Sequence, residues 1–314
     1  MEILHVWSQR TDSNGFTIRT VLFDYRKAFD LTDHDILTRK VSCSVLPSSI
    51  INWIIDFLSD RAQRVKLAEG CFSEWGGIPS EVPQCIKFGP WLFLIMINDL
   101  SNSDAFLWKY VDDTTVSEII GKGEQSNAQA MADEVADWSR RNKVQLNREK
   151  CKELRISFTK VKRELPPIVI EGENIEVVDG VNLLGLTISS DLRWNNHVSK
   201  VIKKVSKRIY FLTQLKRANV SQSDLCHFYT MCIRTVIDYA APVFHFALPL
   251  YLVNELERLQ KRAMRIICPN VEYRYALSTL GLTTINYHHD NISTRTFNSI
   301  ANDREHKLRK NLPN

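Results

Sequence analysis

Two aspartates stand side by side, Asp112 and Asp113, with a β-prone run on either side: Phe106–Tyr110 before them and 114–119 after. Such runs joined through Val111, Asp112 and Asp113 read as a hairpin, which lifts both carboxylates to its tip. Scaffolding explains that placement poorly. Adjacent carboxylates repel, and strand-rich surroundings disfavour aspartate. A divalent cation removes the penalty, because Mg²⁺ prefers hard oxygen ligands and takes a few carboxylates together with phosphates and water. A second acidic segment, FDYRKAFD, ends the strand-like run Thr17–Phe23 with Asp24 and carries Asp30 six residues on. Asp24 and Asp112 on neighbouring strands would hold two ions about 3.5–4 Å apart, the separation used for in-line displacement at phosphorus. Alone, an Asp-Asp pair is weak evidence, since a solvated turn explains it as well.

The 314 residues suffice for one large domain or two smaller ones, each with its own core. Hydrophobic residues at 44% and charged residues at 25% give the balance of a globular chain. A net charge of +5 is compatible with a nucleic-acid partner without arguing for one. The seven cysteines (Cys43, Cys71, Cys85, Cys151, Cys226, Cys232, Cys268) form no CxxC pair. Cys226, His227 and Cys232 fit no common zinc spacing, so the thiols read as small apolar side chains in a reducing compartment. The N-terminus lacks the long apolar core of a signal peptide, and the longest apolar run, 91–97, is too short to span a bilayer. The expectation is an intracellular protein, nuclear or cytoplasmic, with no membrane partner.

Along the chain, helical periodicity is predicted over 33–41, and Pro47 opens a second helix, Ser48–Leu58. In that helix Ile50, Ile51, Ile54, Ile55 and Leu58 are spaced for one buried stripe. Pro79, Pro83, Gly89 and Pro90 bracket a loop that ends in WLFLIMINDL. An amphipathic helix follows over 125–142, then strand-like segments at 154–158, 168–170 and 181–188. From Trp194 the chain turns helical, with Val198, Val201, Val205, Ile209 and Leu212 at helical spacing and a further helix over 253–267. The domain boundary is placed near Ser190.

No acidic residue lies between Asp191 and Asp224, while Arg193, Lys200, Lys203, Lys204, Lys207, Arg208, Lys216 and Arg217 are basic. Lys200, Lys204 and Lys207 or Arg208 share one face opposite the apolar stripe. A charge run is usually a solvated face. A one-sign run with His197 and Tyr210 interspersed suits contact with a phosphate backbone, independent of base sequence and sensitive to salt.

The order of the motifs carries more weight than any one of them. LFDYRKAFDLTDHDIL resembles motif A of non-LTR retrotransposon reverse transcriptases of the jockey-like, LINE-type group. VPQCIKFGPWLFLIMINDL resembles motif B, KYVDDTTV motif C, WSRRNKVQLNREKCKELRISF motif D and VNLLGLTIS motif E. All five stand in the family's order, and the likeness continues through HVSKVIKKVSKRIYFLTQLKRA, YAAPVFH and LERLQKRAMRII.

The resemblance implies an α/β (α+β) fold: a right-hand polymerase palm with an antiparallel-centred sheet over residues 1–190, an α-helical thumb over 191–270, and a C-terminal extension over 271–314. It implies RNA-directed DNA polymerase activity on an RNA template and DNA primer with deoxynucleoside triphosphates. Two Mg²⁺ ions, or Mn²⁺ in their place, would be held by Asp24, Asp112, the supporting Asp113 and the Tyr25 carbonyl. Phe29 matches the aromatic gate that crowds a ribose 2′-hydroxyl; packing in the turn after a strand explains it equally. Gln84 matches the glutamine near the nascent base pair, and Tyr110 is the aromatic of motif C. Lys150 matches a general acid for pyrophosphate, with a solvated lysine as the plain alternative. Leu184 and Gly185 match the hairpin that grips the primer end. Lys200, Lys203, Lys204, Lys207 and Arg208 would line the duplex.

The chain departs from the pattern in three ways. It starts almost at motif A, so the fingers are expected to be largely missing, with no endonuclease domain before them; a separate chain is the candidate source of either. Glu81 and Cys85 replace glycines of motif B, where glycine admits turns closed to other residues. Val111 stands where alanine is frequent, a mild exchange. These departures keep a second reading open, a catalytically inactive nucleic-acid-binding remnant of the same element. A third, a nucleotide cyclase, is remote, because a cyclase needs no primer grip.

Overall fold

The computed structural model describes residues 1–11, 15–78, 80–83, 87–102, 106–159 and 163–312. The chain divides into two compact units. One is built from Trp7–Asp179, the other from Gly180–Asn314 together with Met1–Val6.

The first unit centres on a five-stranded sheet. Its strands are β1 (Thr17–Phe23), β2 (Phe106–Tyr110), β3 (Asp113–Ile120), β4 (Lys152–Ser157) and β5 (Glu176–Val178), in the order β5-β4-β1-β3-β2. All neighbours pair antiparallel except β5 with β4. β1 is central, and its β-branched Thr17, Ile18, Thr20 and Val21 suit a strand packed on both sides. On one face Val21 and Phe23 join a core with Leu92, Phe93 and Met96 of α4 (Phe88–Ile97) and with Met131 and Val135 of α5 (Ala128–Arg141). On the other, fully buried Trp7 of α1 (Glu2–Thr11) donates its indole N–H to Ser117 Oγ at 3.1 Å. Within the strand pair, Arg19 bonds Glu153 at 2.6 Å, both charges buried, and Arg155 bonds the same carboxylate.

The helices keep the sequence reading's outlines with local changes. α2 (His34–Ser42) is capped by Asp33, whose side chain accepts from the Ile36 N–H at 3.0 Å. α3 (Ser48–Leu58) follows Pro47 and buries Ile54 and Leu58, whereas Ile50 is exposed, so the expected five-residue stripe is narrower. Gly89 and Pro90 do not bracket a loop: they lie in the first turn of α4, where proline's missing N–H has no intrahelical partner to lose. Gly89 is needed there, since a Cβ would come 2.1 Å from the Pro83 carbonyl oxygen.

The second unit opens with a hairpin, β6 (Gly180–Leu183) and β7 (Leu186–Ser189). It continues through α6 (Asn195–Arg217), α7 (Gln222–Phe228), a π-turn at Tyr229–Arg234, α8 (Leu250–Ile267), α9 (Tyr273–Thr279) and α10 (Ile285–Asn302). The division falls after Asp179 rather than near Ser190, because this hairpin packs with α6. Residues 271–312 are likewise no separate extension: α10 packs on α8, and the Glu257 carboxylate accepts from the Ile285 N–H at 2.9 Å. Between 180 and 314 there are 19 lysines and arginines against 9 aspartates and glutamates, so the basic charge of the chain resides here. Among the described residues no helix is long and apolar enough to cross a membrane.

Candidate active site

The register of β1 with β3 pairs Phe23 with Thr114. Asp24 directly follows the last paired residue of β1, and Asp113, the first residue of β3, directly precedes Thr114. Tyr110 pairs with Asp113, so the β2–β3 hairpin turns on two residues, Val111 and Asp112. Only Asp112 is therefore at the tip; Asp113 belongs to the strand. Val111 makes the turn at φ +56°. Tight hairpins need positive φ, and a β-branched residue adopts it at a cost of about 1–3 kcal/mol. The valine, mild on sequence grounds, is a strained choice.

Charge converges at this strand end. Partial burial, then the Asp112 and Asp24 carboxylates, push the Asp113 carboxyl above its usual range. Lys150 supplies a positive charge, its Nζ 3.8 Å from Asp24 Oδ1 in a largely exposed pair. Main-chain bonds fix Asp24 in place: its carbonyl accepts from the Asn147 N–H at 2.7 Å, and the Arg26 N–H donates to the Gln145 carbonyl at 2.8 Å.

Tyr25 turns its ring into the core beside Trp138, leaving main-chain atoms for the ligand role the resemblance gives it. Burial pushes its hydroxyl up to about 12. That hydroxyl faces those of Thr114 and Ser139 without closing a hydrogen bond of standard geometry to either. Phe29 stacks on Phe93 with ring centroids 4.9 Å apart and is only partly buried. Packing thus accounts for one side of its ring. Tyr110 ends β2 and is 62% exposed.

The turn after Asp24 is laced to the motif B segment. Glu81 N–H donates to the Thr32 carbonyl at 3.0 Å and Val82 N–H to the Phe29 carbonyl at 2.8 Å. The His34 Nε2 lies 2.8 Å from the Glu81 carbonyl oxygen. His34 was not singled out from sequence, although a histidine at a core position of an amphipathic helix was the available signal. Glu81 adopts φ +101°, a conformation glycine reaches freely and other residues rarely do. Gln84 and Cys85 lie outside the described residues.

In the second unit, Leu184 and Gly185 form the β6–β7 turn at φ +46° and +81°. Tyr239 donates its hydroxyl to the Leu184 carbonyl at 2.7 Å, and a Cβ on Gly185 would meet its ring at 3.0 Å. Glycine is thus required both by conformation and by space; the tyrosine clamp was not foreseen. On α6, Lys200, Lys203, Lys204 and Lys207 are exposed, as is Tyr210. His197 is buried, and burial lowers its pKa, so it does not join that face. Arg208 is half-buried and donates to the Cys232 carbonyl, an anchor within the unit.

An acidic hairpin beside an acidic strand end, in an antiparallel-centred sheet backed by helices, is the layout of a polymerase palm. Residues 9–188 match the family model described as reverse transcriptase (RNA-dependent DNA polymerase), and the chain belongs to that family. A separate match over 194–235 is to the N-terminal region of alkylated DNA repair protein alkB homolog 8. Among curated relatives, the RNA-directed DNA polymerase from mobile element jockey of Drosophila funebris is 26% identical over 258 residues, 78% of this chain and 28% of that protein. The probable RNA-directed DNA polymerase from transposon X-element of Drosophila melanogaster is 23% identical over 79% of this chain and 28% of its own length. The chain therefore spans under a third of the length of these relatives. The motif-based likeness to jockey-type elements is borne out. A solved structure of apo telomerase from Candida tropicalis shows a distant likeness, with a TM-score of 0.47 and 12% identity over 89% of this chain and 53% of that one.

Proposed function

We propose that the chain is part of an RNA-directed DNA polymerase of a non-LTR retrotransposon, working in the nucleus or cytoplasm. It would extend the 3′-hydroxyl of a DNA primer with deoxynucleoside triphosphates on an RNA template. The observation that carries this reading is Asp24 at the end of β1 close to Asp112 and Asp113 at the start of β3, with the Asp113 carboxyl raised by burial and by both neighbours. Such a donor set fits divalent cations, whose charge offsets the repulsion. Among the described residues no three histidine, cysteine, aspartate or glutamate side chains already form a metal-binding group, so drawing the trio together on a cation belongs to the proposal.

Two Mg²⁺ ions bound there would lower the barrier by activating the primer hydroxyl and stabilising the departing pyrophosphate. The chain's own residues orient the reaction. β1 and the β2–β3 hairpin would hold Asp24 and Asp112 at one end of the sheet, with the main chain of Tyr25 beside them. Lys150, at Asp24, places an ammonium where a proton is needed by the leaving group. Phe29 crowds the sugar's 2′ position, with Tyr110, exposed at the hairpin, and Gln84 at the nascent pair. The Leu184–Gly185 turn contacts the primer, and Lys200, Lys203, Lys204 and Lys207 neutralise phosphates.

The test is primer extension on poly(rA)/oligo(dT) with Mg²⁺ and labelled dTTP, beside Asp112→Asn. Extension that vanishes in the variant supports the polymerase; no extension despite salt-sensitive duplex binding sinks it for this chain. One observation favours that second reading, a non-catalytic binding remnant: Glu81 holds a glycine conformation in motif B with a charged side chain.

A further inference from the structure

Residues 62–77 form a two-stranded ribbon that the sequence reading did not anticipate. Ala62–Gln63 pairs with Gly76–Gly77, and Lys66–Ala68 with Cys71–Phe72. Every residue from 62 to 77 is exposed, including Val65 at 60%, Leu67 at 73% and Trp75 at 64%. A bare two-stranded ribbon is marginal in water, and large exposed apolar side chains on one mark a surface that is covered in use.

The side chains say what covers it. The Arg64 guanidinium lies 4.0 Å from the Phe72 ring centroid and 4.7 Å from that of Trp75, and Lys66 Nζ is 5.9 Å from Phe72. These contacts put two cations and two rings on one face. Among the described residues neither Arg64 nor Lys66 forms an ion pair with a carboxylate, although the ribbon carries Glu69 in its turn and Glu74 beside Trp75. The pattern continues at the ribbon's root. Arg61 lies 4.8 Å from the centroid of Phe57, which stacks on half-exposed Trp53, and its Nη1 is buried without a hydrogen-bond partner.

Rings interleaved with unpaired cations suit a strand whose bases are unpaired: each base has a face to stack, and each phosphate a positive charge to meet. A protein partner would have to supply its own carboxylates to meet these cations, whereas a nucleic acid brings a phosphate with every base. The ribbon also leads into the candidate active site, since its return strand runs on through Ile78 to Glu81, bonded to the turn after Asp24.

We infer that the Arg64–Phe72–Trp75 face of this ribbon binds single-stranded nucleic acid. The inference does not require the chain to polymerise, so it stands or falls apart from the proposed activity.

The experiment is fluorescence anisotropy with a labelled oligouridylate, beside a blunt-ended RNA duplex. Trp75→Leu should weaken single-strand binding about fivefold or more, the scale of one lost stack, while Trp75→Phe keeps it within about twofold. Duplex binding should be unchanged in both. If Trp75→Leu melts early, Arg64→Met gives the same reading through loss of the cation. Unchanged oligouridylate affinity in a folded variant overturns the inference. So does a variant that alters only self-association by light scattering, which would make the ribbon a contact between copies.

Discussion

Asp24 and Asp113 flank the Phe23–Thr114 pair that ends the β1–β3 ladder, and Asp113 is the more exposed of the two. Partial burial and the charges of Asp112 and Asp24 raise its pKa above the ordinary 3.8. A carboxyl raised in the fold favours the folded state only while protonated. That contribution is complete below about pH 4 and is lost as pH rises through the folded-state pKa. At neutral pH, without a cation, the site therefore strains the fold. Saturating Mg²⁺ should raise the melting temperature at neutral pH by a few degrees, at about 2–4 °C per kcal/mol for a domain of this size. Asp113→Asn should raise the metal-free melting temperature and abolish most of the Mg²⁺ response. A wild-type melting curve indifferent to Mg²⁺ would remove the cation from this site.

Glu81 bears on whether the site can turn over. Its φ of +101° is open to glycine and closed to most side chains. Strain of about 1–3 kcal/mol is expected, of which glycine's greater freedom in the unfolded chain returns about 0.5–1 kcal/mol. Glu81→Gly should thus stabilise the protein by about 1 kcal/mol in urea unfolding. It should also speed primer extension if the motif B turn limits the rate. A destabilised Glu81→Gly would show that the glutamate side chain makes a contact that outweighs the strain.

Glu153 should govern acid stability. Burial would raise its carboxyl, but hydrogen bonds from Arg155 and Arg19, with their charges, outweigh that and hold it below the usual 4.5. Its contribution is present above the unfolded value and is lost as pH falls through the folded one. Glu153→Gln leaves Arg19 buried without its counter-charge, and breaking a buried pair this way costs about 3–5 kcal/mol. Urea titrations at descending pH should show the wild type converging on the variant. Parallel curves would place the acid transition elsewhere.

How far the sequence could be read depended on how local each cause was. β1 and α3 were legible to the residue, because a β-branched run and a proline act on their own neighbours. The carboxylates Asp24, Asp112 and Asp113 were legible as a set. Their placement was not: Tyr110 pairs with Asp113, which takes it out of the two-residue turn, and Asp24 comes to it from far away in sequence. The ribbon at 62–77 was invisible for the opposite reason: with no buried face, its residues leave no alternation to read. His34 and Tyr239 each act on a carbonyl distant in sequence, at Glu81 and at Leu184, and no spacing rule announces such a bond.

Arg208 illustrates the same limit on α6, and salt dependence separates it from its neighbours. Charge spacing groups it with Lys200, Lys203, Lys204 and Lys207, yet it is half-buried and donates to the Cys232 carbonyl. Each phosphate neutralised contributes about 0.7–0.9 to the slope of log affinity against log salt. Changing the four lysines to glutamine should flatten that slope for an RNA/DNA duplex by up to about 3 and leave the melting temperature nearly unchanged. Arg208→Gln should do the reverse. It leaves the slope intact and lowers stability by about 1–3 kcal/mol, because the Cys232 carbonyl is left in a partly buried position without its donor. An Arg208→Gln variant that flattens the slope as much as one lysine does would return the arginine to the phosphate face.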